Sequence, residues 1–263
     1  TRYVAPNGDE TGMIYIVLGF AFWAAGWMLN VRLANGPSGD VRSVRIAIPL
    51  IFGLTILVVW EFFVLGFKIN PVFLPRPSDI MIRMSQELPR LWADFVQTII
   101  KGALTGYMIG GLAAFGVAIL ADRSEFLTRG VLPVGSFMAA LPIVGIAPIF
   151  VKWFGSDWES KAAVVAVMVF FPILVNAVAG LRDTTAMQRD LMRTYGAGYW
   201  PTLFKLRLPA AMPFIFNGLK IATTLALIGA IVAEFFGSPT VGMGFRISTS
   251  FGQLALDMVC AEI

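Results

Sequence analysis

Histidine is absent from this chain of 263 residues, cysteine occurs once, at Cys260, and charged residues make up only 14% of it. Each scarcity closes off a class of chemistry. Without histidine the commonest proton shuttle and metal ligand is missing, and a lone cysteine excludes an internal disulfide framework. The balance of 20 Lys+Arg against 16 Asp+Glu leaves a net charge of +4, scattered along the sequence. No basic patch with interleaved aromatics accompanies it, so no nucleic acid partner is expected, and anionic lipid headgroups suffice to account for the charge. There is no GxxxxGK[ST] phosphate loop. No metal-ligand cluster and no converging catalytic set appear within the apolar stretches, which argues against a membrane-embedded enzyme.

What the chain has in excess is apolar length. It is 57% hydrophobic, with 22 Phe and 7 Trp, and its mean hydropathy is +0.78. Crossing a bilayer takes about 20 predominantly apolar residues. Thr11–Val31, Gly102–Ala121, Gly130–Val151 and Ala162–Leu181 contain no charged residue, while Ile46–Phe67 is broken only by Glu61 and Leu208–Ala233 only by Lys220. Six spans are expected, giving an all-α polytopic helical bundle. A seventh would begin near Gln253, so the last helix is expected to be truncated at Ile263. Thr1–Glu10 is polar and slightly acidic, unlike a signal peptide, so the first helix is expected to be retained. Lys/Arg bias weakly favours an outer N-terminus and an inner 182–207 loop.

Two polar connections stand out. After the N-terminal helices of residues 1–68, the segment 69–96 has prolines around Arg76 and an apolar stripe at Ile80, Met81, Met84, Leu88 and Leu91, the spacing of an amphipathic helix that ends or kinks at Pro89. A surface connector and a contact for an external partner are both compatible with it. The segment Asp190–Pro209 carries Arg193, Lys205 and Arg207. The spacing predicts a short helix over 186–193, an interruption at Gly196 and Gly198, and a second short helix from Pro201 to Arg207, ended by Leu208–Pro209. Leu203, Phe204 and Leu206 would supply its apolar surface, suited to a groove in another protein.

The same segment resembles the cytoplasmic signature of permease subunits of binding-protein-dependent ATP-binding-cassette importers. Asp190 keeps the carboxylate of the family's Glu-Ala-Ala, Leu191 and Met192 stand where the alanines would be, and Gly196, Leu206, Leu208 and Pro209 fall at the family spacing. FLPRPSDI at 73–80, LPIVGIAPIFVKWFG at 141–155, LPAAMPFIFNGLKIA at 208–222 and the glycine-rich Val241–Phe245 are similar to the sulfonate, nitrate and taurine-type branch.

The resemblance implies a type I importer permease core of five helices over 97–263, preceded by one or two N-terminal helices, with a cytoplasmic coupling loop at 183–209. It implies the bacterial inner membrane and a second permease copy, with a homodimer as the default. The implied partners are cytoplasmic ATPase subunits and an extracytoplasmic solute-binding protein. ATP would be bound and hydrolysed by the partner, leaving this chain without a cofactor or an enzymatic step of its own. The implied cargo is a small anion of the sulfonate, nitrate or taurine kind, or a vitamin or pyrimidine precursor. Asp190, Arg193, Tyr195, Gly196, Ala197, Leu203, Phe204, Leu206, Leu208 and Pro209 are the expected docking residues. Candidates for the translocation path are Pro142, which can bend a moving helix, and Asn176 and Glu234, polar groups at membrane depth. An interhelical hydrogen bond for Asn176 and a loop partner for Glu234 are open alternatives. Gly106/Gly110/Gly111/Ala114 and Ala226/Gly229/Ala230 are expected to mark close helix contacts. The competing class, a secondary transporter or channel, would have only Glu61, Lys220 and Glu234 to build an ion relay.

Overall fold

A helix satisfies its backbone hydrogen bonds internally, the requirement for crossing hydrocarbon, and every regular element among the described residues is helical. The computed structural model describes residues 8–36, 41–124, 126, 127, 129, 130, 133–135, 142–237 and 240–263. They fall into two units, Thr1–Leu91 with Thr249–Ile263, and Trp92–Ser248. Among the described residues five helices are long and apolar enough to cross a membrane: Thr11–Asn35, Arg42–Gly66, Leu88–Asp122, Trp158–Arg182 and Tyr199–Phe236.

In the first unit α1 (Gly8–Asn35) and α2 (Arg42–Gly66) pair antiparallel. The pairing is close because glycines sit at the contacts: a Cβ on Gly12 would lie 2.8 Å from the Gly66 carbonyl oxygen, and one on Gly26 would lie 2.5 Å from Thr55 Oγ1. The expected amphipathic segment is two helices, α3 (Pro77–Gln86) and α4 (Leu88–Phe95), separated at Glu87 just before Pro89. Glu61 of α2 is bonded to the start of α3. Its carboxylate accepts from Ser78 N at 3.0 Å and Ser78 Oγ at 2.8 Å, supplying the acceptors that the first turn of α3 lacks. The C-terminal helix of the chain, Leu256–Glu262, lies against α3, and Asp257 pairs with Arg83 at 3.1 Å.

In the second unit α4 continues through a π-helical stretch, Val96–Leu104, into α5 (Thr105–Asp122) as one unbroken helix of 35 residues. Then come α6 (Ile143–Phe154), α7 (Trp158–Arg182), the short α8 (Ala186–Thr194) and α9 (Tyr199–Thr202), a π-helical Leu203–Arg207, α10 (Leu208–Phe236) and α11 (Met243–Gly252). Helix α7 is the core element, with α5 and α10 against it. Ile173, Leu174, Ala177 and Val178 are buried along its second half. The small-residue runs sit at these contacts as expected: a Cβ on Gly106 or Gly110 would come within 2.4 Å of the Ala162 or Ala166 carbonyl oxygen of α7, and one on Gly229 would lie 2.7 Å from Met168 Sδ.

The expected span Gly130–Val151 is corrected. Pro142 is extended (φ −70°, ψ 117°) and caps α6, so the helix begins at Ile143. At about 1.5 Å per residue, its 12 residues reach only about 18 Å, short of a hydrocarbon core of about 30 Å. Residues 131, 132 and 136–141 of that window lie outside the described residues. Pro142 accordingly starts a helix instead of bending one.

Candidate functional site

Residues 182–209 form a built turn between two membrane helices. Thr185 and Gln188 make a capping box: the Thr185 hydroxyl accepts from Gln188 N at 3.3 Å, and Gln188 Oε1 accepts from Thr185 N at 2.9 Å, which fixes the start of α8. The helix stops where Gly196 adopts φ +68°, a conformation costly for a side chain with a Cβ. Ala197 N donates to Met192 O at 3.0 Å and Gly196 N to Arg193 O at 2.9 Å, the paired bonds of a Schellman stop.

The second half departs from expectation in two ways. The helix that begins at Tyr199 does not end at Pro209 but runs on to Phe236. The π-helical Leu203–Arg207 lies directly ahead of Pro209, where wider hydrogen-bonding tolerates the missing N–H and the ring of proline. Leu203 is buried in the core cluster, so it is not available to a partner. Leu206 and Leu208 are half-buried, and Leu208 packs against the same cluster.

What is exposed is a different apolar face. Met187, Leu191 and Tyr195 follow each other at four-residue spacing on α8 and its cap, and Trp200 stacks on Phe204 with centroids 5.8 Å apart. Tyr195 and Met187 are 79% and 82% exposed, in a region that makes no use of them internally. Asp190 is exposed and accepts from Arg193 Nη1 at 3.3 Å.

The segment is anchored by charge. The Arg207 guanidinium grips Asp122, the last residue of α5, through Nη1 to Oδ2 at 2.7 Å and Nη2 to Oδ1 at 2.5 Å, with the Asp122 side chain only 3% exposed. Arg207 Nε and Nη2 also donate to the Leu181 carbonyl oxygen at 3.0 and 2.8 Å. That carbonyl lies in the last turn of α7, where oxygens have no helical partner and a cation is favoured. Tyr199 donates its hydroxyl proton to Asp122 Oδ2 at 3.0 Å, and Arg123 lies over the Tyr199 and Trp200 rings at 4.5 and 4.7 Å. One arginine therefore ties together the ends of α5 and α7 and the approach to α10.

A second polar cluster lies at the other end of these helices. Glu234 accepts from the Thr98 hydroxyl at 2.8 Å and from Gly244 N at 2.8 Å, while Thr98 Oγ1 accepts from Met243 N at 2.8 Å. Asp94 accepts from Gly242 N at 2.6 Å and from Arg246 Nε at 3.0 Å. Gly242 has φ +135°, and a Cβ there would sit 2.5 Å from Glu234 Oε1, so only glycine fits. Lys161 is buried and donates to the carbonyl oxygens of Ser156 and Gly237. Asp157 caps α7, accepting from Trp158 N at 2.8 Å, and takes a bond from Gln97 Nε2 at 3.1 Å; these bonds hold its carboxyl below the ordinary carboxylate range.

Residues 106–261 match the family described as the inner membrane component of binding-protein-dependent transport systems. The chain belongs to that family. It is 32% identical over 215 residues to the formylaminopyrimidine transport permease protein ThiX of Halalkalibacterium halodurans, covering 80% of this chain and 84% of that protein. It is 28% identical over 202 residues to the putative aliphatic sulfonates transport permease protein SsuC of Bacillus subtilis, covering 75% and 72%. It is 28% identical over 214 residues to the taurine transport system permease protein TauC of Escherichia coli, covering 79% and 78%. This is a multi-pass permease of the inner membrane, and the resemblance carried by Gly196, Leu206, Leu208 and Pro209 identified its family correctly.

The path candidates of this permease are redistributed. Glu234 is sealed in the Thr98–Gly244 cluster, 1% exposed, so it holds a loop instead of facing a path. Asn176 donates to the Pro172 carbonyl oxygen at 2.8 Å and accepts from Asn217 Nδ2 at 3.1 Å, the interhelical bond that was the open alternative. Sequence reasoning missed Asp122, Asp94 and Lys161. The signal for Asp122 was its place as the first charge after the Gly102–Ala121 window.

Proposed function

We propose that 186–207 is the element through which a cytoplasmic ATPase subunit drives this importer permease. The observation that carries the reading is the exposed Met187–Leu191–Tyr195 face on α8, in a segment whose C-terminal end is tied by Arg207 to Asp122 and Leu181. An exposed apolar face on a short helix suits a groove in another protein, and the bidentate buried ion pair at the C-terminal end of the segment couples it to α5. Nucleotide-driven closure of two ATPase subunits would move α8, and through Arg207 would tilt α5, α7 and α10 together. Asp190, Arg193, Tyr195, Gly196, Ala197 and Phe204 remain in this docking surface. Leu206 and the core-packed Leu208 are half-buried, and Pro209 lies in the first turn of α10.

ATP hydrolysis then belongs to the partner, and the permease contributes no catalytic group. A second copy of the chain completes the path by symmetry, and a solute-binding protein delivers cargo on the opposite side of the membrane. The cargo belongs among small anions of the sulfonate or taurine kind, or pyrimidine and vitamin precursors, in keeping with the names of the relatives. The test is co-purification from the native host. Wild type should bring down an ATPase subunit, and the double variant Leu191→Asp, Tyr195→Asp should lose it while eluting as a folded membrane protein; retention of the ATPase by the variant contradicts the assignment.

A further inference from the structure

At the end of the membrane helices remote from the 182–209 turn a cleft of about 440 Å³ opens, with Trp92, Gln97, Lys101 and Asp157 among its lining residues. From Asp122 back to Lys101 the helix rises about 30 Å at about 1.5 Å per residue, the thickness of the hydrocarbon core. Lys101 therefore stands where the opposite layer of lipid headgroups begins. Its neighbour Gly102 packs on the first turn of α7, where an added Cβ would lie 3.4 Å from Lys161 Cβ. The Asp157 cap of that turn and Lys101 thus meet at one depth.

The cleft holds one charge of each sign. Buried Gln97 and Trp158 N both donate to Asp157 Oδ1, which fixes the carboxylate and leaves Oδ2 without a hydrogen bond among the described residues. After those two bonds the Lys101 charge also helps to hold the Asp157 carboxyl below the ordinary range, so it lies near, yet its ammonium makes no ion pair among the described residues. Two opposite charges, each with free hydrogen-bonding capacity, suit a zwitterion. Trp92 is 65% exposed and stacks on Phe95 at 5.5 Å, and an exposed indole favours the membrane–water interface. Deeper along the same helix Leu104, Met108 and Leu112 are exposed at four-residue spacing, an apolar strip for acyl chains. Paired charges at headgroup depth, an aromatic at the rim and apolar surface below match a phospholipid better than a water-soluble zwitterion.

The geometry points to this cleft as a binding site for a phospholipid whose headgroup ends in a primary ammonium, phosphatidylethanolamine. Its phosphate rests on the Lys101 ammonium, its own ammonium donates to Asp157 Oδ2, and its chains run along the Leu104 strip. A primary ammonium brings three donors to a carboxylate. A choline headgroup has the charge without the donors, and a glycerol headgroup lacks the charge.

The experiment titrates dioleoyl phosphatidylethanolamine, phosphatidylcholine and phosphatidylglycerol separately into the detergent-solubilised permease and counts bound lipid by native mass spectrometry. Wild type and Lys101→Arg should bind the ethanolamine lipid at least about threefold tighter than either of the others, the scale of one partly exposed charged contact. Lys101→Gln should weaken ethanolamine-lipid binding about threefold or more, and Asp157→Asn should erase its margin over the choline lipid. Asparagine preserves the cap of α7, and exposed Lys101 carries the test should the Asp157 variant fail to fold. Equal binding of the three lipids by wild type overturns the inference, as does an affinity that Lys101→Gln leaves unmoved or a margin that folded Asp157→Asn retains. Displacement of the lipid by soluble phosphoethanolamine at equal concentration also overturns it, by making the cleft a site for a free zwitterion.

Discussion

Arg207 and Asp122 are 85 residues apart in the chain and form a bidentate ion pair at the root of the 186–207 segment. Breaking one partner of such a pair strands the other charge, which costs about 3–5 kcal/mol when buried, while replacing both with apolar groups is far milder. Asp122→Ala and Arg207→Ala are therefore each expected to lower the melting temperature of the purified permease markedly. The double variant Asp122→Leu, Arg207→Met should recover a large part of the loss, and the double-mutant cycle in a detergent melt measures the coupling.

The glycine at 242 is required by φ +135° and by Glu234 Oε1 at 2.5 Å from any added Cβ. Gly242→Ala should destabilise the fold by about 2 kcal/mol or more, through strain and displacement of the Glu234 cluster. Gly116→Ala, in mid-helix with nothing within 4 Å of the added Cβ, should cause no loss. The pair of melts separates a backbone requirement from a general sensitivity to substitution.

Because Glu234 is enclosed and not in a path, Glu234→Ala should act on folding. Removing the acceptor of Thr98 and Gly244 leaves buried donors unpaired, at about 1–3 kcal/mol. The expected result is a lower melting temperature with the competition profile among transported solutes unchanged.

Asp157 contributes to stability in its ionised form, because bonds from Gln97 and Trp158 N depress its folded pKa below the unfolded value. A depressed carboxyl stabilises fully above the unfolded pKa of about 3.9 and loses that contribution as pH falls through the folded pKa. Wild type should melt above Asp157→Asn by a constant margin at neutral and mildly acidic pH, and the margin should shrink below about pH 4. Melts across that range check the sign.

Those predictions draw on contacts of different visibility. Apolar windows, three free of charge and two broken only by Glu61 or Lys220, exposed five spans because hydropathy is a local property, and Gly196 was legible because a turn needs its backbone freedom. Leu203 was misplaced because an extra residue in a π-helical turn rotates the rest of the helix by about 100°, an effect that no apolar spacing announces. Pro142 was placed near a bend when it begins a helix, since a charge-free window does not reveal where backbone hydrogen bonding stops. Lys161, whose partner Gly237 is 76 residues away, and the Arg207–Asp122 pair depend on which helix ends meet in space.

The central claim is that Tyr195 lies against an ATPase subunit during transport. Its most direct test is photo-cross-linking from Tyr195→Cys carrying benzophenone maleimide in a Cys260→Ser background, in native membranes. The control label sits at Met108→Cys, on the exposed apolar surface of α5. The account predicts a cross-linked band of permease plus one ATPase subunit from position 195 and none from position 108. Label at 195 that joins only lipid or another copy of the permease would contradict it.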